Sequence, residues 1–410
     1  MLTDMKTIPL GELASFEMGQ SPDSLSVNDV GEGIPFLQGC AEFGLIIPYH
    51  NFYSSKPRKL CESNDILISV RAPVGTLNKA DRVYCIGRGL AAIRFNNTTL
   101  PEFGWHLLNY WVSNFRKVAQ GSTFEAIGKA EITNLRVSYF PDTFEQRRIA
   151  EILDTVDETI ALTTSVIAKL KQIRAGLLHD LLTRGLDEDG KLRDAIAHPE
   201  QFKDSPLGRI PKDWQVTTIG EQASISSGTT PNRSNSQYWQ YGTIAWIKTG
   251  EVNYTFIEDA EEKITQKALD ETSLKIYPIH TVLMAMYGQG VTRGKVAILG
   301  IEATTNQACA AIFPNSNNLI SGYLFQYLSY YYEDIRSLGQ GSHQSNLNEK
   351  LIAGFSILLP PIQEQTQIVE IVNSYDTRIH KEEAYLDKLK LQKKGLMHDL
   401  LTGKVRVNQI

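Results

Sequence analysis

Two histidine–aspartate pairs are the residues most easily taken for catalytic groups. His179-Asp180 and His398-Asp399 each place a base beside an acid, as proton transfer requires. Both pairs recur at the same place in a duplicated segment, and that repetition argues against a single catalytic centre. A histidine in the last turn of a helix interacts favourably with the helix dipole. We therefore predict a helix-end or packing role for both pairs.

Other motifs of catalysis are missing or incomplete. No Gly-Lys pair is followed by the Ser or Thr of a Walker A loop, and Leu359 precedes Pro360-Pro361 where an adenine methyltransferase would have Asp, Asn or Ser. Residues 261–263 form an E-x-K fragment, which nucleases use to hold Mg²⁺, but no Pro-Asp precedes it at a useful distance. A solvated charged turn is the expected structure there. The sequence predicts a protein with no catalytic residues, metal site or cofactor.

Composition indicates a folded protein of two domains. The chain has 410 residues, of which 42% are hydrophobic and 21% charged, with a net charge of −5. Its four cysteines are scattered without C-x-x-C spacing, which predicts neither a zinc site nor a disulfide framework and favours a reducing cytoplasm. No apolar stretch reaches the roughly 18 residues of a membrane span. The acidic balance by itself argues mildly against nucleic acid as a partner.

A long segment occurs twice in the chain. Residues 140–186 align without a gap onto residues 359–405 at a constant offset of 219. Apolar residues in both copies step by alternating fours and threes, the 3.5-residue period of a coiled coil. Each copy therefore predicts a helix of about 40 residues, or roughly 60 Å. The seam positions are Ile149, Leu153, Val156, Ile160, Thr163, Ile167, Leu170, Arg174, Leu177 and Leu181, repeated as Ile368, Val372, Tyr375, Ile379, Glu382, Leu386, Leu389, Lys393, Leu396 and Leu400.

The segments before the two helices also correspond, more loosely. Residues 10–24 echo 219–233, residues 34–40 echo 244–250, and residues 120–127 echo 340–347. Short apolar runs bounded by Gly, Pro and Asn predict strands in each half, followed by one helical stretch. The sequence predicts a mixed globule and a long helix, twice. The predicted boundaries are a first globule at 1–140, a first long helix at 141–183, a linker at 184–208, a second globule at 209–359 and a second long helix at 360–404.

Three local strings carry a family resemblance. They are P-x-x-x-E-Q at each helix start, LLTGKVRV at the end of the second helix and GRIPKDW before the second globule. Together with the duplicated architecture they resemble the DNA specificity subunits of Type I restriction-modification systems. The resemblance covers essentially the whole chain and is most specific in the helices. The first globule departs from it, because it has MKTIPLGEL where the second has the IPKDW string.

The resemblance implies a fold, a function and partners. The fold class is α+β, with two repeated target-recognition globules of mixed strand and helix, each followed by a long helix. The two helices are expected to pack as an antiparallel coiled coil, because a repeat favours an approximate two-fold. The function is reading a bipartite asymmetric target on duplex DNA. The partners are two methyltransferase (modification) subunits, which bind S-adenosylmethionine, and restriction subunits, which are ATP-dependent translocases and nucleases.

Candidate DNA-binding residues are polar residues in loops of the globules, able to reach base edges or phosphates. In the first globule they are Gln20, Ser21, Gln38, Arg71, Arg88, Ser122 and Thr123. In the second globule they are Thr229, Thr230, Lys248, Gln289, Thr292, Arg293, Asn306, Gln307, His343, Gln344 and Asn346. The favoured clusters fall at equivalent places in both halves, G-Q-S against G-T-T and QGST against QGSHQSN.

Two other functions are compatible with the sequence. A coiled-coil scaffold could carry two globules that bind protein, and it would enrich no DNA sequence. An enzyme, either a nuclease or a fused methyltransferase, is disfavoured by the missing motifs, and inactivity of the purified chain toward DNA with Mg²⁺ and S-adenosylmethionine would exclude it.

Overall fold

The structure is a computed structural model that describes residues 5–120, 126–288, 291–338 and 346–407. It divides into two compact units. Unit 1 comprises Met1–Val166 and Glu382–Ile410, and unit 2 comprises Ile167–Lys381. Each unit therefore holds one globule and half of each long helix.

Unit 1 contains short strands that lead into helices. Its strands are β1 (Lys6–Pro9), β2 (Ala14–Met18), β3 (Val27–Asn28), β4 (Ile34–Leu37), β5 (Phe52–Ser54), β6 (Leu60–Cys61), β7 (Ile66–Ser69), β8 (Leu77–Lys79), β9 (Tyr84–Ile86), β10 (Leu90–Phe95) and β11 (Arg136–Tyr139). Its helices are α1 (Pro101–Gln120), α2 (Lys129–Thr133) and the first part of α3 (Thr143–Thr183).

Two sheets form the globule of unit 1. One is antiparallel in the order β2-β10-β7-β8, and the other is mixed in the order β3-β5-β4-β9-β6. Strands β4 and β9 pair in parallel, whereas β1 pairs with β11 antiparallel. The runs 65–70 and 90–95, predicted as strands, form β7 and β10, whose apolar side chains are buried.

Unit 2 repeats this plan with more elements. Its strands are β12 (Phe202–Ser205), β13 (Gly208–Pro211), β14 (Gln215–Thr218), β15 (Ala223–Ser227), β16 (Ile244–Ile247), β17 (Phe256–Ile257), β18 (Glu262–Ile264), β19 (Val282–Ala285), β20 (Val296–Leu299), β21 (Ala303–Thr305), β22 (Cys309–Pro314) and β23 (Ser356–Leu359). Its helices are α4 (Ile219–Gln222), α5 (Gln266–Glu271), α6 (Ser321–Tyr330), α7 (Tyr332–Ser337), α8 (Glu349–Ala353) and the first part of α9 (Ile362–Leu401).

The sheets of unit 2 match those of unit 1 strand for strand at their centres. The order β15-β22-β19-β20 corresponds to β2-β10-β7-β8, and β17 extends it by pairing with β20. The parallel pair β16 and β21 corresponds to β4 and β9, and β14 pairs with β23 as β1 pairs with β11. The loose sequence echo of the globules therefore reflects a shared β framework.

The two long helices have the predicted lengths and buried seam. Helix α3 spans 41 residues and α9 spans 40, and every predicted seam position is buried or half-buried. The ends of the seam belong to the globule cores. Ile149 and Leu400 pack into the core of unit 1, and Leu181 and Ile368 pack into that of unit 2.

Inside each unit the two helix segments run in opposite directions. In unit 1, Glu145 at the start of α3 binds Arg406, which follows α9, and Asp157 binds Lys393 at 2.5 Å. Unit 2 makes the repeated contact, in which Arg174 donates two hydrogen bonds to Asp376 at 2.5 and 2.8 Å. The polar seam residues Arg174 and Lys393 are thus half-buried and paired with carboxylates. The predicted α+β fold class with antiparallel helix packing is confirmed.

The P-x-x-x-E-Q string fixes the start of each helix to its own globule. The amide of Gln146 donates to the Thr98 and Phe140 carbonyls and accepts from the Leu100 amide. Gln365 makes the equivalent bonds to Asn318, Pro360 and Ile320. Both glutamines are fully buried, so these bonds also satisfy polar groups that would otherwise be costly to bury.

The glutamate of the same string anchors the other two family strings. Glu145 accepts two hydrogen bonds from Arg406 of LLTGKVRV. Glu364 accepts from the indole of Trp214, which ends GRIPKDW, and from the guanidinium of Arg193. The three strings are therefore parts of two buried ion-pair sites, one in each unit.

No helix within the described ranges is long and apolar enough to cross a membrane.

Candidate nucleic-acid interface

Backbone hydrogen bonds hold three loops of unit 1 together, the loop after β2, the loop after β4 and the loop between β9 and β10. The amide of Gln20, after β2, donates to the Ile86 carbonyl at 2.9 Å. The amide of Gly87, before β10, donates to the Leu37 carbonyl at 2.7 Å. These bonds bring the loop after β4 to the other two, so four predicted site residues become neighbours: Gln20, Ser21, Gln38 and Arg88.

Three of these side chains line one cavity of about 510 Å³. Ser21, Gln38 and Arg88 share it with the rings of Phe36 and Phe52. The Arg88 amide lies 3.5 Å from the Ser21 hydroxyl.

Unit 2 repeats the same loop contacts. The Thr229 amide donates to the Thr305 carbonyl at 2.9 Å, and the Asn306 amide donates to the Ile247 carbonyl at 3.1 Å. Across this junction the hydroxyl of Thr230 donates to Oε1 of Gln307. Thr229, Thr230, Lys248 and Gln307 therefore take the places of Gln20, Ser21, Gln38 and Arg88.

Both loop junctions need a glycine. A Cβ added at Gly19 would lie 2.1 Å from the Gly87 carbonyl oxygen, and one added at Gly228 would lie 2.0 Å from the Thr305 carbonyl oxygen. Such contacts are far inside van der Waals distance, and the obstacle is backbone. The shared glycines of G-Q-S and G-T-T therefore allow the close approach that positions the polar residues after them.

In unit 2 a charged cluster that the sequence did not reveal lies beside this junction. Lys248 binds Glu261 and Glu262 at 2.8 and 3.0 Å, and Arg233 also binds Glu262. The guanidinium of Arg233 lies 4.0 and 4.6 Å from the ring centroids of Trp239 and Trp246.

The charges of this cluster reinforce one another. The hydrogen bond from Arg233, together with Lys248, lowers the pKa of Glu262. Glu261 and Glu262 in turn raise the pKa of Lys248. Arg233 was not among the predicted site residues, although its place at the end of the 219–233 echo was a usable signal.

The remaining candidate DNA-binding residues that the structure describes differ in exposure and in hydrogen bonding. Arg71 and Asn346 are exposed, and Thr292 is half-buried. Arg293 donates to the Arg336 carbonyl at 3.2 Å, and Asn306 is held by Thr249 and by the Ala308 amide. Five further candidates lie outside the described residues: Ser122, Thr123, Gln289, His343 and Gln344.

The repeated histidines contact tyrosines of the globule helices. Nδ1 of His179 lies 2.6 Å from the Tyr330 hydroxyl, and Nδ1 of His398 lies 2.9 Å from the Tyr110 hydroxyl. Both pairs join a long helix to a helix of its own unit, which is a packing role. Over the described part of the chain, no group of three or more His, Cys, Asp and Glu is arranged to hold a metal ion.

The β framework, the long helix and the loop junction each occur twice in the chain, and the family match is duplicated in the same way. A family model for the Type I restriction modification DNA specificity domain matches residues 3–172 and 211–391. The chain belongs to this family. The family is the non-catalytic targeting component of Type I restriction enzymes, as the sequence predicted.

Curated relatives are specificity subunits. The chain is 38% identical over 193 residues to a putative Type I restriction enzyme MjaX specificity subunit of Methanocaldococcus jannaschii, a match covering 46% of the chain and 44% of that protein. It is 22% identical over 403 residues to the EcoDI specificity subunit of Escherichia coli, covering 95% of the chain and 83% of that protein. The chain spans about half the length of the first curated relatives that it matches.

Solved structures share the fold. A Type I restriction-modification S subunit from M. genitalium superposes with a TM-score of 0.61 at 17% identity, over 97% of this chain and 96% of that one. A chain from a structural study of complex assembly in the Type I system superposes with a TM-score of 0.60 at 15% identity, over 97% and 98%.

Proposed function

We propose that the chain reads a bipartite, asymmetric target on duplex DNA, one half-site with each unit. The observation that carries this proposal is the repeated loop junction. The same backbone bonds and the same close glycine gather polar side chains of different type in unit 1 and in unit 2. Two units that recognise different DNA sequences need the same backbone framework with different side chains at the recognition loops.

The chemistry of each junction suits base recognition. Arginine recognises guanine, glutamine recognises adenine, and Ser or Thr can pair with either through the grooves of DNA. Dimeric DNA readers bind two half-sites with two copies of one surface. We propose that this chain achieves the same with two copies inside one polypeptide, which frees the two half-sites to differ.

We propose that each predicted segment of the chain has its own function. The globules at 1–140 and 209–359 read bases. The helices at 141–183 and 360–404 hold geometry and, with the 184–208 linker, contribute to docking two methyltransferase subunits and, through them, restriction subunits. Such partners would supply phosphate contacts and so compensate for a net charge of −5. A cytoplasmic location stays a prediction of the sequence.

Selection from a random duplex library tests this proposal against the scaffold alternative. The chain is bound to its modification partner, and the retained duplexes are sequenced, with the modification partner alone as the control. We expect two short motifs separated by unread base pairs, enriched only when the chain is present. A complex that forms but enriches no sequence would identify a scaffold instead.

A further inference from the structure

Arg88 and Gln307 occupy the same place in the two units. Each lies two residues before a central strand, β10 or β22. Each also follows a residue whose amide donates to the last carbonyl of β4 or β16. Both residues contact a hydroxyl of the G-Q-S or G-T-T loop. The backbone amide of Arg88 lies 3.5 Å from the Ser21 hydroxyl, and the side chain of Gln307 accepts a hydrogen bond from the Thr230 hydroxyl. The two units therefore share the backbone framework at this position but carry different side chains.

Both side chains have hydrogen-bonding capacity to spare. Within the described ranges, no hydrogen bond or ion pair engages the exposed guanidinium of Arg88. Gln307 is also exposed, and its amide nitrogen has no partner among the described residues.

Neighbouring candidates are less available. Lys248 is neutralised by two glutamates, Arg293 is bonded to the end of α7, and the Asn306 side chain closes its own loop. Gln20 is exposed, but its counterpart Thr229 is hydrogen-bonded to Ser273. Residues 88 and 307 are therefore the equivalent pair that differs in type and in which both side chains keep free donors.

The Thr230 hydroxyl donates one hydrogen bond to Oε1 of the Gln307 amide. Oε1 keeps one lone pair and the nitrogen keeps both hydrogens. That is the donor and acceptor set with which glutamine pairs bidentately to N6 and N7 of adenine, whereas a free guanidinium pairs with O6 and N7 of guanine.

We propose that Arg88 and Gln307 each specify one base pair, a guanine in the half-site of unit 1 and an adenine in the half-site of unit 2. This proposal rests on the function proposed above and adds the identity of one base in each half. It predicts that exchanging the two residue types exchanges the two base preferences.

Three variants test it in a host that carries the complete system: R88Q, Q307R and R88K. Methylated positions are mapped across the genome for each variant and for the native chain. We expect R88Q to change or relax one base of one half-site, with discrimination falling roughly 5- to 150-fold, and to leave the other half unchanged. Q307R is expected to act in the same way on the opposite half.

R88K is the matched control for charge. Lysine keeps the positive charge but lacks the bidentate fork, so a base-reading Arg88 loses discrimination in R88K, whereas a phosphate contact survives. Unchanged targets in both R88Q and Q307R, or uniform weakening in R88Q that R88K restores, would overturn the proposal. Because the two substitutions lie in different units, each tests the inference if the other impairs folding. Absence of any sequence-specific methylation with the native chain would instead refute the proposed function.

Discussion

Exchanging residues 1–139 for the matching segment of a relative is expected to change one half of the methylated sequence and to leave the other half as it was. The reason is that unit 1 and unit 2 each contain a complete loop junction, with its own glycine and its own polar residues. Each good bidentate base contact contributes about 1–3 kcal/mol. Losing a whole set should therefore abolish recognition of the original half-site rather than weaken it.

The reciprocal exchange of residues 209–359 is the matched control, and it should alter only the opposite half. Mapping methylated adenines in hosts that carry each chimera gives the result directly. A chimera whose target changed in both halves would contradict independent reading by the two units.

The second large effect concerns the buried acid at the start of α9. We expect Glu364→Ala to lower the free energy of unfolding by about 3 kcal/mol, because it leaves the largely buried Arg193 guanidinium with Asp213 alone as a carboxylate partner among the described residues. The side chains of Arg193 and Glu364 are only 10% and 7% exposed. The same substitution removes the acceptor of the Trp214 indole and of the Leu186 amide. Denaturant unfolding, followed through tryptophan fluorescence, measures the change.

Glu151→Ala provides the comparison. Glu151 pairs with Arg148 on the surface of α3, where both side chains are about half exposed, and exposed pairs contribute at most about 1 kcal/mol. If Glu364→Ala and Glu151→Ala lowered the free energy of unfolding equally, the contacts of Glu364 would not be a main source of the stability of unit 2.

The long helices could be predicted from sequence because their signal is local and periodic. A seam that repeats every 3.5 residues needs no knowledge of the partner segment, and the second copy supplies an independent test at the same offset. The antiparallel direction was also predicted, from the repeat, but the ion pairs that accompany it, Asp157 with Lys393 and Asp376 with Arg174, were not. Those partners are more than 200 residues apart in sequence, so their pairing required the structure.

The candidate sites were predictable only in outline. Aligning G-Q-S with G-T-T identified structurally equivalent loops in the two halves, because both loops need a glycine where two backbone segments approach closely. The partner of Thr230 is Gln307, 77 residues away, and no local pattern indicates that contact. Lys248 was predicted as a DNA-contacting residue, and no pattern in the sequence indicated that the antiparallel pairing of β16 with β18 brings Glu262 beside it.

The family strings illustrate the same limit. The family resemblance used three strings only as matching letters: P-x-x-x-E-Q, GRIPKDW and LLTGKVRV. The sequence offered no physical reason why these residues should occur together. Their physical role comes from long-range contacts: Glu364 with Trp214, and Glu145 with Arg406.

Mapping methylated bases in the genome of a host with the complete system, before and after deletion of this chain, tests the central claim most directly. The account predicts one asymmetric motif made of two short parts separated by unread base pairs, and the loss of methylation at that motif when the chain is deleted. Methylation that persists without the chain, or a motif with a single continuous or palindromic core, would contradict reading by two unlike units.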